Sequence, residues 1–229
     1  HYSVGYQWVT ENEAFVSVMG YGEDKETLSG DTVRTQEAGV FSSPDVLWQG
    51  VAAGTLDPLA EGLLIICTGR HTKKIEIFQG LEKEYKAVVK LGATTPSSDA
   101  EFPEENLTDT SKLENEKVRS ALLSFEGTIK QRPPVLSAIK KSGKRLYKYA
   151  RAGEEVDIPE RTVQIHSISD ISIHLPLVSF TMECSKGTYV RSLAADLGKK
   201  LGVGGYLFGL NRSRIGTYSA THAYSVQEL

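Results

Sequence analysis

The sequence predicts an α+β fold, a mixed and mainly antiparallel sheet flanked by helices. Three observations predict it. Strand-like apolar runs occur at 62–67, 85–91, 163–173 and 177–184. Helical spacing of apolar residues occurs at 116–125 and 192–201. The two kinds of element are mixed without regular alternation.

Each element has its own local reason. Gly62-Leu63-Leu64-Ile65-Ile66-Cys67 is a continuous apolar run, as in a strand buried on both faces. Tyr85-Lys86-Ala87-Val88-Val89-Lys90-Leu91 reads as a second strand, ended by Gly92. Residues 96–116 form a polar, acidic connection with Pro96 and Pro103. Val118, Ala121, Leu122 and Phe125 then lie at helical spacing, with Gly127 as the expected stop. Two further strands are expected at 163–173 and 177–184. Leu193, Leu197 and Leu201 share one helix face, and Gly202 follows as the cap. A late strand is expected at 215–218.

Residues 1–50 have a different texture. Gly and Ser are frequent, acids are scattered, and Phe15-Val16-Ser17-Val18-Met19 is the one candidate strand. The expectation is an irregular or partly disordered lead-in, followed by a single domain over 51–229. No internal repeat or low-complexity tract interrupts that domain.

The chain has 229 residues, enough to bury a real core. No stretch of roughly 18 apolar residues occurs, so no membrane span is expected. Residues 1–20 lack the basic and apolar regions of a signal peptide. Two isolated cysteines, Cys67 and Cys184, predict neither a disulfide framework nor a zinc site, and fit a reducing cytoplasm. The formal net charge is −3. Residues 1–50 hold eight acids and two bases, whereas 51–229 hold 24 bases and 21 acids. The basic part is the part with motifs.

Four motifs carry chemistry. In Ala53-Gly54-Thr55-Leu56-Asp57-Pro58-Leu59-Ala60-Glu61-Gly62, Gly54 permits a tight backbone and Pro58 fixes the chain after Asp57. A carboxylate held there can act as a nucleophile. Spacing alone equally describes a turn Asp that bonds its own backbone, and favours it. In Cys184-Ser185-Lys186-Gly187-Thr188-Tyr189-Val190-Arg191-Ser192-Leu193, the chain leaves a strand, turns at Gly187 and starts a helix. Arg191 near that start can point toward a carboxylate and hold it ionised; a structural ion pair is the commoner use of such a residue.

The third motif is basic. Lys130, Arg132, Lys140, Lys141, Lys144, Arg145, Lys148 and Arg151 occur without one acid among them, opened by Pro133-Pro134 and interleaved with Tyr147 and Tyr149. Bases neutralise phosphates and aromatics stack on unpaired nucleobases; a solvated helix face is the alternative. The fourth is Lys83-Glu84-Tyr85, where Tyr85 is either a core aromatic or the wall of a base pocket. The five histidines are scattered without metal-ligand spacing, and no phosphate-binding glycine loop or nucleophile elbow occurs.

Taken in order, these pieces resemble the TruB family, the tRNA pseudouridine-55 synthases. The likeness covers about residues 53–229. It adds Leu91-Gly92-Ala93-Thr94-Thr95, Ser137-Ala138, Gly143-Lys144-Arg145-Leu146-Tyr147, Tyr149-Ala150-Arg151-Ala152-Gly153 and the stretch 210–216. The resemblance implies the pseudouridine synthase fold, with a cleft across its sheet. It implies Asp57 as the catalytic carboxylate, Arg191 as its partner, Tyr85 stacked on a flipped uracil and Tyr189 lining the pocket. Residues 130–153 would be the insertion that grips the T-stem loop of tRNA, with Lys186 adding an RNA contact. No cofactor or metal is implied, and a cytoplasmic monomer without the family's usual C-terminal RNA-binding (PUA) domain is expected.

The sequence departs from the family at defined places. The opening Lys-Pro-x-Gly-x-[Thr/Ser]-Ser strand and its helix are not found in 1–50. Ala52 stands where a His is usual, and Gly204-Gly205-Tyr206 stands where Gly-Ala-His is usual. The abrupt border near residue 52 and the reversed charge predict that 1–50 derive from a frameshift, a chimera or an unusual gene model. Three functional readings follow: a tRNA pseudouridine synthase, a catalytically weak RNA-binding protein or tRNA-folding chaperone of the same fold, and a synthase acting on other RNAs.

Overall fold

The computed structural model describes residues 5–7, 15–18, 40–43, 46–54, 56–57, 59–134, 140–141, 144–145 and 158–223. The early strands are β1 (Gly5–Gln7), β2 (Phe15–Val18), β3 (Val40–Ser43), β4 (Val46–Ala52) and β5 (Ala60–Thr68). A 3-10 turn (Gly69–Lys74) leads into α1 (Ile75–Gly80), and β6 (Lys83–Leu91) follows. Next come α2 (Asn115–Leu123), β7 (Gly127–Gln131), and the short pair β8 (Lys140–Lys141) and β9 (Lys144–Arg145). The chain continues through β10 (Arg161–His174), β11 (Leu177–Cys184), α3 (Val190–Leu201), β12 (Gly205–Ile215) and β13 (Tyr218–Ser219). Two compact units result: residues 1–86 with 210–229, and residues 87–209.

In the first unit β5 is the organising strand. Residues 62–67 are all buried, which explains why they read as an unbroken apolar run rather than an alternation. Its Ile66 pairs with Phe15 of β2 and with Ala52 of β4, both antiparallel. Its first residues pair parallel with β12, Ala60 opposite Leu210 and Gly62 opposite Arg212. Ala53, Leu63, Ile65, Cys67 and Ile215 form a buried cluster, covered by Ile75, Phe78, Leu81 and Tyr218. Buried Lys83 fastens the end of α1, its ammonium donating to the carbonyls of Gln79 at 2.6 Å and Leu81 at 2.5 Å. Those are carbonyls a short helix leaves unsatisfied.

Gly62 is what lets β5 and β12 meet. It has φ +106°, and a Cβ there would lie 2.4 Å from the Arg212 carbonyl oxygen. Gly62→Ala therefore adds backbone strain to a clash with backbone that cannot swing aside. We expect a loss of about 2 kcal/mol or more, seen as a fall in melting temperature of at least ~5 °C in a calorimetric scan. An unchanged melting temperature would mean that the two strands are not held this closely.

Residues 1–50, read from sequence as an irregular lead-in, contain β1, β2, β3 and most of β4. Only the expected strand at Phe15 was visible in advance. The others are three to seven residues long, too short for alternation to register. β2 and β4 pair with β5, a strand later in the chain, while β1 pairs with β2 and β3 with β4.

The second unit is built on antiparallel pairs. β10 pairs with β11 on one side and with β7 on the other. In β11, Val178, Phe180, Met182 and Cys184 are buried and their neighbours are not, the period of a strand with one covered face. α3 buries Leu193, Ala194, Leu197 and Leu201, the stripe its spacing predicted. Gly202 closes it at φ +75°, donating to the carbonyls of Gly198 and Lys199.

Two expectations are corrected here. Gly127 does not stop α2, which ends at Leu123 with Ser124 as its cap; Gly127 opens β7. The late strand is not 215–218 but the eleven-residue β12, and Gly216 lies between it and β13. β12 carries Gly205, Gly209, Asn211, Arg212, Ser213 and Arg214, so its composition hides a strand that pairing with β5 creates.

Candidate active site

The first unit displays Asp57 on the short link between β4 and β5. The link is tied down at both ends. Buried Ala53 donates its N–H to the Ile65 carbonyl at 2.7 Å, and Ala60 donates to the Asp57 carbonyl at 2.9 Å. Gly54 takes φ +97°, which L side chains rarely adopt. Asp57 itself is half-buried. Its main chain is thus held by a four-residue turn. Ala52, standing where a His is usual, is the last residue of β4.

Tyr85 is half-buried two positions after buried Lys83, on the strand face shared with Ala87, Val89 and Leu91. Glu84 points to the other face. Its Oε1 accepts from the Ser213 hydroxyl at 2.6 Å, and its Oε2 is 3.3 Å from Arg214 Nη2. Lys83 and Glu84 therefore fix the strand just before Tyr85, one through carbonyls and one through an ion pair.

In the second unit Arg191 is the second residue of α3 and is 4 % exposed. Its Nη1 donates to Asp99 Oδ2 and to the Ser97 carbonyl, each at 3.3 Å. Asp99 is buried too. Its Oδ1 accepts from the Ser97 hydroxyl at 2.5 Å and from the Glu101 N–H at 3.0 Å. The loop around it is pinned by Thr95 Oγ1 to the Asp99 carbonyl at 2.6 Å and by the Leu207 N–H to the Ser98 carbonyl at 3.0 Å. Sequence reasoning missed Asp99, placing it in a polar acidic connection. The surrounding acids mask it, and only its burial against α3 separates it from them.

Tyr189, half-buried, is the residue at which α3 begins, and Lys186 is exposed on the turn before it. Lys130 and Arg132 are exposed along and just after β7. β8 and β9 form a hairpin in which Lys140 lies opposite Arg145 and Lys141 opposite Lys144. Tyr147, Lys148, Tyr149 and Arg151 lie outside the described residues.

Burial pushes the Cys67 thiol up to about 11, so it stays protonated near neutral pH. No group of three or more His, Cys, Asp or Glu that could hold a metal occurs among the described residues. No described helix is long and apolar enough to cross a membrane.

Comparison with known proteins gives the class. The fold superposes on a chain of a solved Cbf5-Nop10-Gar1 complex with a TM-score of 0.55 and 27% identity, covering 74% of this chain and 41% of that one. The chain thus spans about two fifths of that solved chain. Residues 50–190 match the N-terminal domain of the TruB family pseudouridylate synthases. Fold and family match together are those of a pseudouridine synthase, an isomerase. Two curated relatives extend the match: tRNA pseudouridine synthase B of Parabacteroides distasonis, 48% identical over 77% of this chain and 75% of that protein, and its namesake in Flavobacterium johnsoniae, 47% identical over 76% of each. The chain belongs to the TruB family.

Proposed function

We propose that this chain isomerises uridine to pseudouridine in tRNA, at position 55 of the T loop, with Asp57 as the nucleophile. The observation that carries this reading is the identity with relatives named tRNA pseudouridine synthase B over three quarters of the chain. In this reading residues 51–229 are the catalytic domain, 130–153 its RNA-gripping insertion, and 1–50 an atypical segment. The enzyme acts as a cytoplasmic monomer.

The reaction breaks the bond from C1′ to N1, turns the base and rebuilds the link through C5. C5 gives up a proton and N1 gains one, so substrate and product are isomers. An ionised Asp57 either attacks C1′ or abstracts a sugar proton; each route needs the carboxylate held charged and aimed. Arg191 is assigned that task, and the Asp99 carboxylate and Ser97 carbonyl in turn steady Arg191. Tyr85 stacks on the extruded uracil and Tyr189 lines the pocket. Extruding the base costs a few kcal/mol, offset by phosphate contacts from Lys130, Arg132, Lys140, Lys141, Lys144, Arg145, Lys148, Arg151 and Lys186.

Ala52 favours a second reading, a weakly catalytic RNA-binding protein or tRNA-folding chaperone. A tritium-release assay on C5-labelled T-arm RNA separates the two: release by the parent protein supports the synthase, and binding without release supports the chaperone. Preference for a non-tRNA stem-loop would move the substrate elsewhere. Replacing Lys140, Lys141, Lys144 and Arg145 together by Glu tests the insertion. We expect T-arm affinity to fall about tenfold or more, and the log–log salt dependence to flatten by about one unit per lost phosphate contact. An unchanged slope, read by filter binding at several salt concentrations, would remove the hairpin from the interface.

A further inference from the structure

We infer that Gln131 is a positioning residue for the pseudouridylation site, setting Tyr189 and Arg191 from the root of the basic segment. The inference rests on the roles proposed above for those two residues. Gln131 ends β7 and is 2 % exposed. Its side-chain amide meets the main chain of Tyr189, 58 positions later, in both directions. Oε1 accepts from the Tyr189 N–H at 2.7 Å, and Nε2 donates to the Tyr189 carbonyl at 3.0 Å. A primary amide presents one acceptor and two donor hydrogens side by side, the complement of one residue's backbone.

The place matters. Tyr189 is extended, with φ −106° and ψ 109°, and begins α3 without a side-chain cap of its own. A third bond lies beside these two: the Ser192 hydroxyl donates to the Arg132 carbonyl at 2.7 Å. Tyr189 and Ser192 bracket Arg191. The start of α3 is therefore held through three bonds to residues 131 and 132, directly before Pro133-Pro134 open the basic segment. A buried amide with no partners would be costly. Here both its ends are used on a single residue of the pocket. Any shift of the segment's root is passed to Tyr189 and, one residue further along, to the helix turn that carries Arg191.

The experiment uses the full chain and a T-arm stem-loop RNA. Gln131→Met keeps the length and removes both bonds. Gln131→Glu keeps the acceptor, and its new carboxyl can donate to the Tyr189 carbonyl only when protonated. Ser192→Ala removes the bond to the Arg132 carbonyl. Arg191→Ala and the parent run alongside. We expect Gln131→Met to lower the single-turnover rate at saturating RNA by about ten- to a hundredfold, the scale of a misplacement of about 1 Å. Its RNA dissociation constant should stay within about twofold of the parent. Gln131→Glu should recover rate relative to the parent as pH falls toward about 5, as its carboxyl protonates. Ser192→Ala should lose rate in the same direction.

Parental rates in Gln131→Met, even with a lowered melting temperature, would make Gln131 merely structural and overturn the inference. So would a defect confined to RNA affinity. If Gln131→Met does not fold, the pH profile of Gln131→Glu decides: no recovery at low pH overturns the inference. Should Arg191→Ala keep the parental rate, the reading of the site itself fails and this inference with it. If Arg191→Ala is inactive while Gln131→Met is not, the positioning role alone fails.

Discussion

Asp57→Asn should form no measurable pseudouridine, while its affinity for T-arm RNA should stay near that of the parent. The amide keeps the shape of the carboxylate, and the main-chain bond from the Ala60 N–H to the Asp57 carbonyl is kept. What is lost is the charge and the nucleophile or base that goes with it. Removing a nucleophile costs far more than removing a contact, here at least about a thousandfold in single-turnover rate. Tritium release read against filter binding gives both quantities from one preparation. Turnover by Asp57→Asn within tenfold of the parent would sink the assignment, and the search would pass to another carboxylate.

Asp99→Ala should lose both stability and activity. Asp99 and Arg191 face each other with side chains 6 % and 4 % exposed, so water cannot take over when one is cut away. Breaking a buried pair by removing one partner typically costs about 3–5 kcal/mol. For a chain of this size that lowers the melting temperature by on the order of 10 °C. The Ser97 hydroxyl and Glu101 N–H lose their acceptor as well, which loosens the loop that steadies Arg191. At a temperature where the variant is still folded, its single-turnover rate should fall by about a hundredfold, as expected when a group that orients the reacting residue is displaced. Asp99→Asn keeps volume and one acceptor oxygen and should lose less on both counts. Parental rate and melting temperature in Asp99→Ala would show that Arg191 does not depend on this carboxylate.

Much of the second unit was legible in the sequence. α3 announced itself through Leu193, Leu197 and Leu201, and its end through Gly202. β11 announced itself through its period of two. β6 was visible from Tyr85 onward; its first two residues were hidden because Lys83 and Glu84 are charged, and their role as anchors requires partners in α1 and β12. The site residues were legible for a different reason. The candidate residues occur in short runs of fixed order, and the family match over residues 50–190 takes in Asp57, Tyr85 and Tyr189, with Arg191 one residue beyond its end. Asp99 and Gln131 gave no such signal. One is an acid among acids, the other a polar residue at the edge of a basic stretch, and in each case burial alone reveals its use.

Asp57, Tyr85, Tyr189 and Arg191 were thus picked out from the sequence as the proposed site, because the short runs that hold them carry the family resemblance. Hydrophobic period chose α3 and β11 too, since spacing along the chain decides which side chains share a face. Tertiary structure alone decided that Gly- and Arg-rich residues 205–215 form a strand, that short segments within 1–50 pair with β5 and its neighbours, and that Asp99 meets Arg191. Each of these depends on a partner far away in the chain. Such a partner changes the solvation and hydrogen bonding of a residue without leaving any trace in its neighbours' identities.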